Sequence, residues 1–169
     1  MIFKIENLEY GYDNIFKDTE DNEFAYIISS VVKCGYMSDY DGEFMPDNYL
    51  TRFRFMKIIN DIIKIDNLKL NKVREYQNEY FDIEKDENKK YIINAYQYGL
   101  VDSNANAKFR PDDFLTKEEP IVILNKVYGY NNGDYLHMLG AYSEDPYVDI
   151  NQEYWAFTDI VKATIGLEK

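Results

Sequence analysis

Few residues of this chain are of a type that does covalent or acid–base chemistry at neutral pH. Its one histidine, His137, lies in no motif that would supply a nucleophile or an orienting acid, and reads as a surface or connector residue. Its one cysteine, Cys34, falls in an apolar helical pattern that marks a small buried hydrophobe, and a lone cysteine builds neither an internal disulfide nor a cysteine zinc cluster. The 31 Asp and Glu residues are too many to single out a catalytic pair and read as solvated helix faces. The chain is therefore expected to be no enzyme and to need no cofactor. Calcium chemistry has one candidate: Asp102, Asn104 and Asn106 alternate, and Asp113 falls at position twelve of a loop that starts at Asp102. A calcium-dependent, dockerin-like protein-interaction module is thus the alternative reading. Against it, position six is Ala107 where the sharp turn needs Gly, Pro111 falls at position ten, and the matching first loop, Asp39 to Glu43, is a residue shorter. Seventeen tyrosines offer flat amphipathic rings suited to stacking on sugars, although most are expected in packing, as is Trp155, read as a core anchor at a helix start.

Composition narrows the partners. A net charge of −12 excludes a phosphate-backbone footprint, which needs clustered Lys and Arg, so nucleic acid is not expected as a partner. The same acidity means that binding to an anionic polysaccharide has to rely on a few cations placed locally in a groove. No run of 18 apolar residues calls for membrane insertion, and Met1 to Tyr10 lacks a basic segment followed by an apolar one, so export requires a leader already removed or a longer precursor. At 169 residues and 46% hydrophobic content, one compact domain spanning residues 1–169 is the expectation.

The elements that position these residues repeat with a period of about 65 residues. An apolar or aromatic residue near an Asp opens each copy, at Phe16-Lys17-Asp18, Phe81-Asp82-Ile83 and Val148-Asp149-Ile150, and seventeen residues after each Asp stands a Gly: Gly35, Gly99 and Gly166. In the first two copies a loop follows, Phe44-Met45-Pro46-Asp47 and Phe109-Arg110-Pro111-Asp112, and then Thr51 or Thr116. The copies run over about 15–65, 80–130 and, in part, 147–169. Between Asp and Gly, Phe24, Ile27, Ile28, Val31 and Val32 form one apolar helical face, with Ile92, Ala95 and Tyr96, then Phe157, Ile160, Val161 and Ile165, as its counterparts. After the Thr, Phe55, Ile58, Ile59, Ile62 and Ile63 are mirrored by Pro120, Ile123, Leu124, Val127 and Tyr128. Each Gly fits a helix C-cap and each Thr an N-cap, with Glu119 completing a capping box for Thr116. The stretches 66–79 and 130–142 read as polar connectors, the latter with room for a short helix over Asp134 to Leu139. No strand of alternating period is convincing, and the fold class is all-α.

This ordered set resembles the S-layer homology family, whose repeat runs aromatic-x-Asp, Trp-Ala, a Gly-ended helix, Phe-x-Pro-Asp and Thr-Arg-Ala-Glu. Here those elements read Tyr147-Val148-Asp149 and Trp155-Ala156 in the third copy, Phe109-Arg110-Pro111-Asp112 in the second, and Thr51-Arg52 or Thr116-Lys117-Glu118-Glu119 for the last. The resemblance covers nearly everything from Ile15 to Gly166. It implies a pseudo-threefold helical bundle, here with an incomplete third repeat, that attaches a bacterial surface protein, with any domains joined to it, to secondary cell-wall polysaccharide on the cell surface. In that family, grooves between repeats receive pyruvylated sugars. Carried over, Arg52 and Lys117 are the cationic contacts, Thr51 and Thr116 are caps and sugar contacts, and Gly35 and Gly99 mark close backbone approach to a ligand. Arg52 and Lys117 are also expected just inside helix N-termini, where the helix dipole adds to the attraction for an acid. The chain departs from the pattern at Phe53-Arg54, where the family has Ala-Glu, and in the third copy, which ends before its loop and second helix, so that one groove is expected to be missing or completed from outside.

Overall fold

The computed structural model describes residues 13–77, 79–83, 89–102, 108–129, 147 and 149–165. Among these the chain is helical, with two isolated β-bridges and no longer strand pairing, as an all-α fold requires. Five α-helices appear among the described residues: α1 (Ala25–Lys33), α2 (Arg52–Ile65), α3 (Lys89–Gln97), α4 (Glu118–Tyr128) and α5 (Phe157–Ile165). The chain divides into two compact units, Ile2–Phe114 and Leu115–Lys169. The division falls between the second copy's loop and its second helix, so each unit pairs the second helix of one copy with the first helix of the next: α2 with α3, and α4 with α5.

In the unit Ile2–Phe114, α2 starts because the Thr51 hydroxyl accepts the Arg54 N–H at 3.3 Å, and it buries Phe55, Met56, Ile58, Ile59 and Ile62. Each such side chain contributes about 1.5–3 kcal/mol on burial. The helix stops at Asn67, whose left-handed φ of 51° lets the Leu68 N–H reach back to the Ile63 carbonyl. Helices α1 and α3 end on the expected glycines, Gly35 (φ 83°) and Gly99 (φ 72°), with Tyr36 and Leu100 buried just beyond them. In the opening motif the buried aromatics are Phe16 and Tyr80, which anchor 3-10 turns at Lys17–Thr19 and Phe81–Ile83. In the unit Leu115–Lys169, Phe157 and Val161 of α5 form a buried cluster with Tyr147, Ile150 and Tyr154 around them, and α4 buries Ile123, Leu124 and Val127.

Several expected core positions differ. Phe24 is 48% exposed because it precedes α1 with φ −100° and ψ 10°, outside the helical period that its spacing implied. Tyr128 is exposed as the last residue before the Gly129 cap, and Cys34, at the end of α1, is only half-buried. Phe81 is exposed where Tyr80 takes the core position. Trp155 is 61% exposed: it lies in the turn before α5, and Ala156 and Phe157 fill the interior positions. The connector 66–77 is described without a helix, whereas the proposed helix over Asp134 to Leu139, His137 and Gly166 lie outside the described residues.

Candidate functional site

An open groove of about 540 Å³ lies within the unit Ile2–Phe114, between the N-terminal half of α2 and the loop after α1. The loop is shaped by backbone geometry. Asp41 and Gly42 both have positive φ, 54° and 85°, and between them Tyr40 and Glu43 exchange N–H···O bonds of 2.7 and 3.1 Å, a tight reversal that left-handed residues favour. Further along, Met45 is left-handed at φ 59°, which costs a side-chain-bearing residue about 1–2 kcal/mol. The carboxylate of Asp18 offsets that cost by accepting the Phe44 and Met45 N–H groups at 3.2 and 2.6 Å. The second copy repeats the device: Asp82 accepts the Phe109 and Arg110 N–H groups at 2.9 and 2.7 Å, and Arg110 has φ 58°. The Asp of the opening motif is thus a clamp on the Phe-x-Pro-Asp loop of its own copy.

Tyr40, held by that reversal, supports Arg54, whose guanidinium carbon lies 3.9 Å from the ring centroid. One turn along α2, Lys57 donates to the Ser38 hydroxyl at 3.0 Å. Asp61 closes the same helix face, and partial burial pushes its carboxyl above the usual carboxylate range, against the pull of Lys57 and Lys64. Phe53, Tyr91 and Tyr49 supply aromatic walls. Two cations, one carboxyl and several rings in an open groove suit a ligand with an anionic substituent, hydroxyl groups and flat C–H faces.

The residues singled out in the sequence have the following places. Arg52 is absent from the lining of this groove; its Nε donates to the Phe109 carbonyl at 2.9 Å and its guanidinium carbon lies 4.9 Å from the Phe109 centroid. The first N–H groups of α2 are all taken within the unit: Arg52 by the Asp113 carbonyl, Phe53 by the Pro111 carbonyl and Arg54 by Thr51. Arg52 thus stands at the first position of α2, as its spacing implied, with the neighbouring N–H groups bonded within the unit. Thr51 is the cap of α2, while Thr116 is not the side-chain cap of α4. That position falls to Lys117, and the Thr116 N–H donates to Glu119 Oε2 at 3.0 Å, the return half of a capping box. The Thr116 hydroxyl instead bonds the Glu118 carboxylate, which together with the Glu118 amide and the Tyr154 hydroxyl (2.9 Å) holds that carboxyl below its usual range. Lys117 is exposed. A Cβ on Gly99 would come within 3.0 Å of Val73 Cγ2, so the close approach there is made by the chain's own connector, where the Val73 N–H bonds the Gln97 carbonyl at 2.8 Å. A Cβ on Gly35 would lie 3.5 Å from Ile65 Cδ1. Arg54, Lys57 and Asp61 went unselected in the sequence, although their spacing puts them along one helix face. Among the described residues no group of three or more His, Cys, Asp or Glu side chains is placed to hold a metal ion, and residues 103–107 of the calcium-like loop lie outside them.

Residues 80–119 match the family model of the S-layer homology domain. The match begins at the buried Tyr80 and takes in the Asp82 clamp, the Gly99 cap, the Phe109-to-Asp112 loop and Thr116 to Glu119. Over 157 residues the chain is 27% identical to a cellulosome-anchoring protein of Acetivibrio thermocellus, an alignment that covers 89% of this chain and 32% of that protein. The chain thus spans about a third of the length of this curated relative. No solved structure matches it. No helix among the described residues is long and apolar enough to cross a membrane.

Proposed function

We propose that this chain is a non-catalytic cell-wall-binding module that anchors a bacterial surface protein to secondary cell-wall polysaccharide, outside the cell. The observation that carries the reading is the pairing of an S-layer homology segment with a groove that concentrates Arg54 and Lys57 in a chain of net charge −12. In such an acidic chain, local cations are what an anionic polysaccharide needs. In this reading an acidic sugar unit, such as a pyruvylated one, places its carboxylate at Arg54 and Lys57, its hydroxyls toward Asp61 and Ser38, and its ring against Tyr40 or Phe53. Arg52 serves indirectly, by tying α2 to the Phe109 loop, and Thr51 and Gly35 set the helix ends that frame the groove. In the unit Leu115–Lys169, Lys117 and Thr116 are the proposed polar contacts; in the unit Ile2–Phe114, Gly99 serves through the turn it permits at the end of α3.

Sedimentation with Gram-positive sacculi tests the function. The chain is expected to co-sediment with intact sacculi and to stay in solution once the secondary polymer has been stripped; retention on stripped sacculi would redirect the reading to peptidoglycan or protein. At residue level, each charge-assisted contact is worth about 1.5–3 kcal/mol, so Arg54→Ala or Lys57→Ala is expected to weaken binding by roughly 10- to 150-fold with the helical circular dichroism unchanged.

A further inference from the structure

We infer that the exposed ring pair Tyr49–Phe114 is a second saccharide subsite, so that the site reads at least two consecutive units of a polysaccharide chain; the inference rests on the wall-binding reading above. Tyr49 is 75% and Phe114 60% exposed, among the most exposed large hydrophobic side chains described, yet their rings lie 5.3 Å apart, tilted by 40°. Leaving both rings in water forgoes part of the gain from burying them, and side by side they form one apolar patch. The pair is fixed from behind: Thr51 and Phe114 form an antiparallel bridge, and the Arg52 N–H bonds the Asp113 carbonyl at 2.9 Å. The two rings are therefore presented on ordered backbone.

Position decides the occupant. Tyr49 also lines the groove that holds Arg54 and Lys57, whereas Phe114 does not. One ring is thus shared between groove and platform, and a chain leaving the groove past Tyr49 meets Phe114 next. The sequence neighbours Asn48, Asp112 and Asp113 are polar and exposed. An apolar centre of two mutually tilted rings with a polar margin fits a pyranose ring, whose C–H face lies on one aromatic face while its rim hydroxyls reach hydrogen-bonding groups. The two copies contribute one ring each from equivalent positions before their Thr, which explains why the platform forms where their two loops meet.

The test is calorimetric titration of the full chain with polysaccharide released from Gram-positive sacculi, cut to single repeating units and to fragments of several units. Wild-type chain is expected to bind the longer fragments more tightly. Phe114→Ala is expected to weaken the longer fragments by about five- to tenfold and leave the single unit within twofold, while Phe114→Tyr, which keeps the ring, behaves as wild type. Equal losses on both lengths, or no loss on either, overturn the subsite while leaving the groove in place. So does a concentration-dependent dimer of the wild type that disappears in Phe114→Ala, since the rings would then belong to a second copy. Wild-type chain that binds neither length ends the wall-binding reading itself, and this inference with it.

Discussion

The helix pairs α2–α3 and α4–α5 occupy equivalent stretches of the repeat and are joined by the same kind of polar clasp, yet their helix N-termini are completed in different ways. In the first pair the Asn60 amide donates to the Met56 and Tyr91 carbonyls at 2.8 and 3.0 Å, and its oxygen accepts from Asn94 at 2.9 Å. In the second, the equivalent Asn125 is 3% exposed and donates to the Asp159 carbonyl and carboxylate at 2.9 and 3.0 Å. Both clasps join residues 34 positions apart, and their direction reverses because Asp159 can only accept. At the N-termini the pairs diverge. Helix α2 draws on carbonyls of the 109–113 loop, whereas α4 is served at short range by Glu118 and Glu119. What lies inside a pair follows the repeat, while what closes a helix end depends on which loop is at hand.

The largest expected effect tests the shared clasp. Removing a buried or half-buried amide that holds two or three hydrogen bonds strands its partners, so Asn125→Ala should cost about 2–3 kcal/mol and the half-buried Asn60→Ala about 1–3 kcal/mol in urea unfolding. A cost near zero for one and not the other would end the equivalence. The reversal of direction gives a sharper version. Both Asn60 amide hydrogens are already engaged, so Asn94→Asp sets a carboxylate against the Asn60 oxygen and should cost about 1–2 kcal/mol. Asp159→Asn retains an acceptor for Asn125 and gives up only the longer Lys162 contact at 3.9 Å, so it should cost less than about 1 kcal/mol.

Next in size is the contrast between Arg52 and Lys117, the same repeat position in the two pairs. Arg52 binds the Phe109 carbonyl 57 residues away and covers that ring, so Arg52→Ala should destabilise by about 1–2 kcal/mol. Lys117 is exposed at the head of α4, and Lys117→Ala should stay within about 0.5 kcal/mol in the same unfolding measurement. Equal losses would mean that α4 leans on Lys117 as α2 leans on Arg52, erasing the difference between the two ends.

These contrasts also mark how far the sequence could be read. Helical faces such as Phe55, Ile58, Ile59 and Ile62 were legible because a 3.6-residue period leaves a direct trace, and Gly35 and Gly99 because only a left-handed cap needs them there. The groove was not. Arg54 acquires its role from Tyr40, and Tyr40 is placed by a reversal at Asp41 and Gly42 that no periodicity announces. Arg52 matched the family's basic position, but its side chain is directed by a carbonyl that comes near only after folding. Phe24 misled because it lies one residue ahead of the helix whose period it was assigned to, and Trp155, read as a core anchor at a helix start, because it lies two residues ahead of α5.

The smallest expected effect is electrostatic and has opposite signs in the two regions. Hydrogen bonds from Thr116, its own amide and Tyr154 hold Glu118 below its ordinary pKa in the folded state. The folded state then binds that proton less readily than the unfolded one, so the contribution is present above the unfolded pKa and fades as pH falls through the folded value. Asp61 is shifted up by burial, so its folded form holds the proton more readily; its contribution is complete below the unfolded pKa and is lost as pH rises through the raised folded value. At neutral pH, Glu118→Gln should therefore lower the melting temperature and Asp61→Asn should raise it, both by small amounts because neither carboxyl is fully buried. As pH falls through the folded value of each carboxyl the two differences should shrink, that of Asp61→Asn first because its pKa is raised and that of Glu118→Gln later because its pKa is lowered. Melting curves of the three proteins across a pH series from 7 downward decide the matter: a penalty for Glu118→Gln that does not shrink as pH falls would make Glu118 a packing residue, and a destabilising Asp61→Asn at neutral pH would show that Lys57 and Lys64 outweigh the burial of that carboxylate.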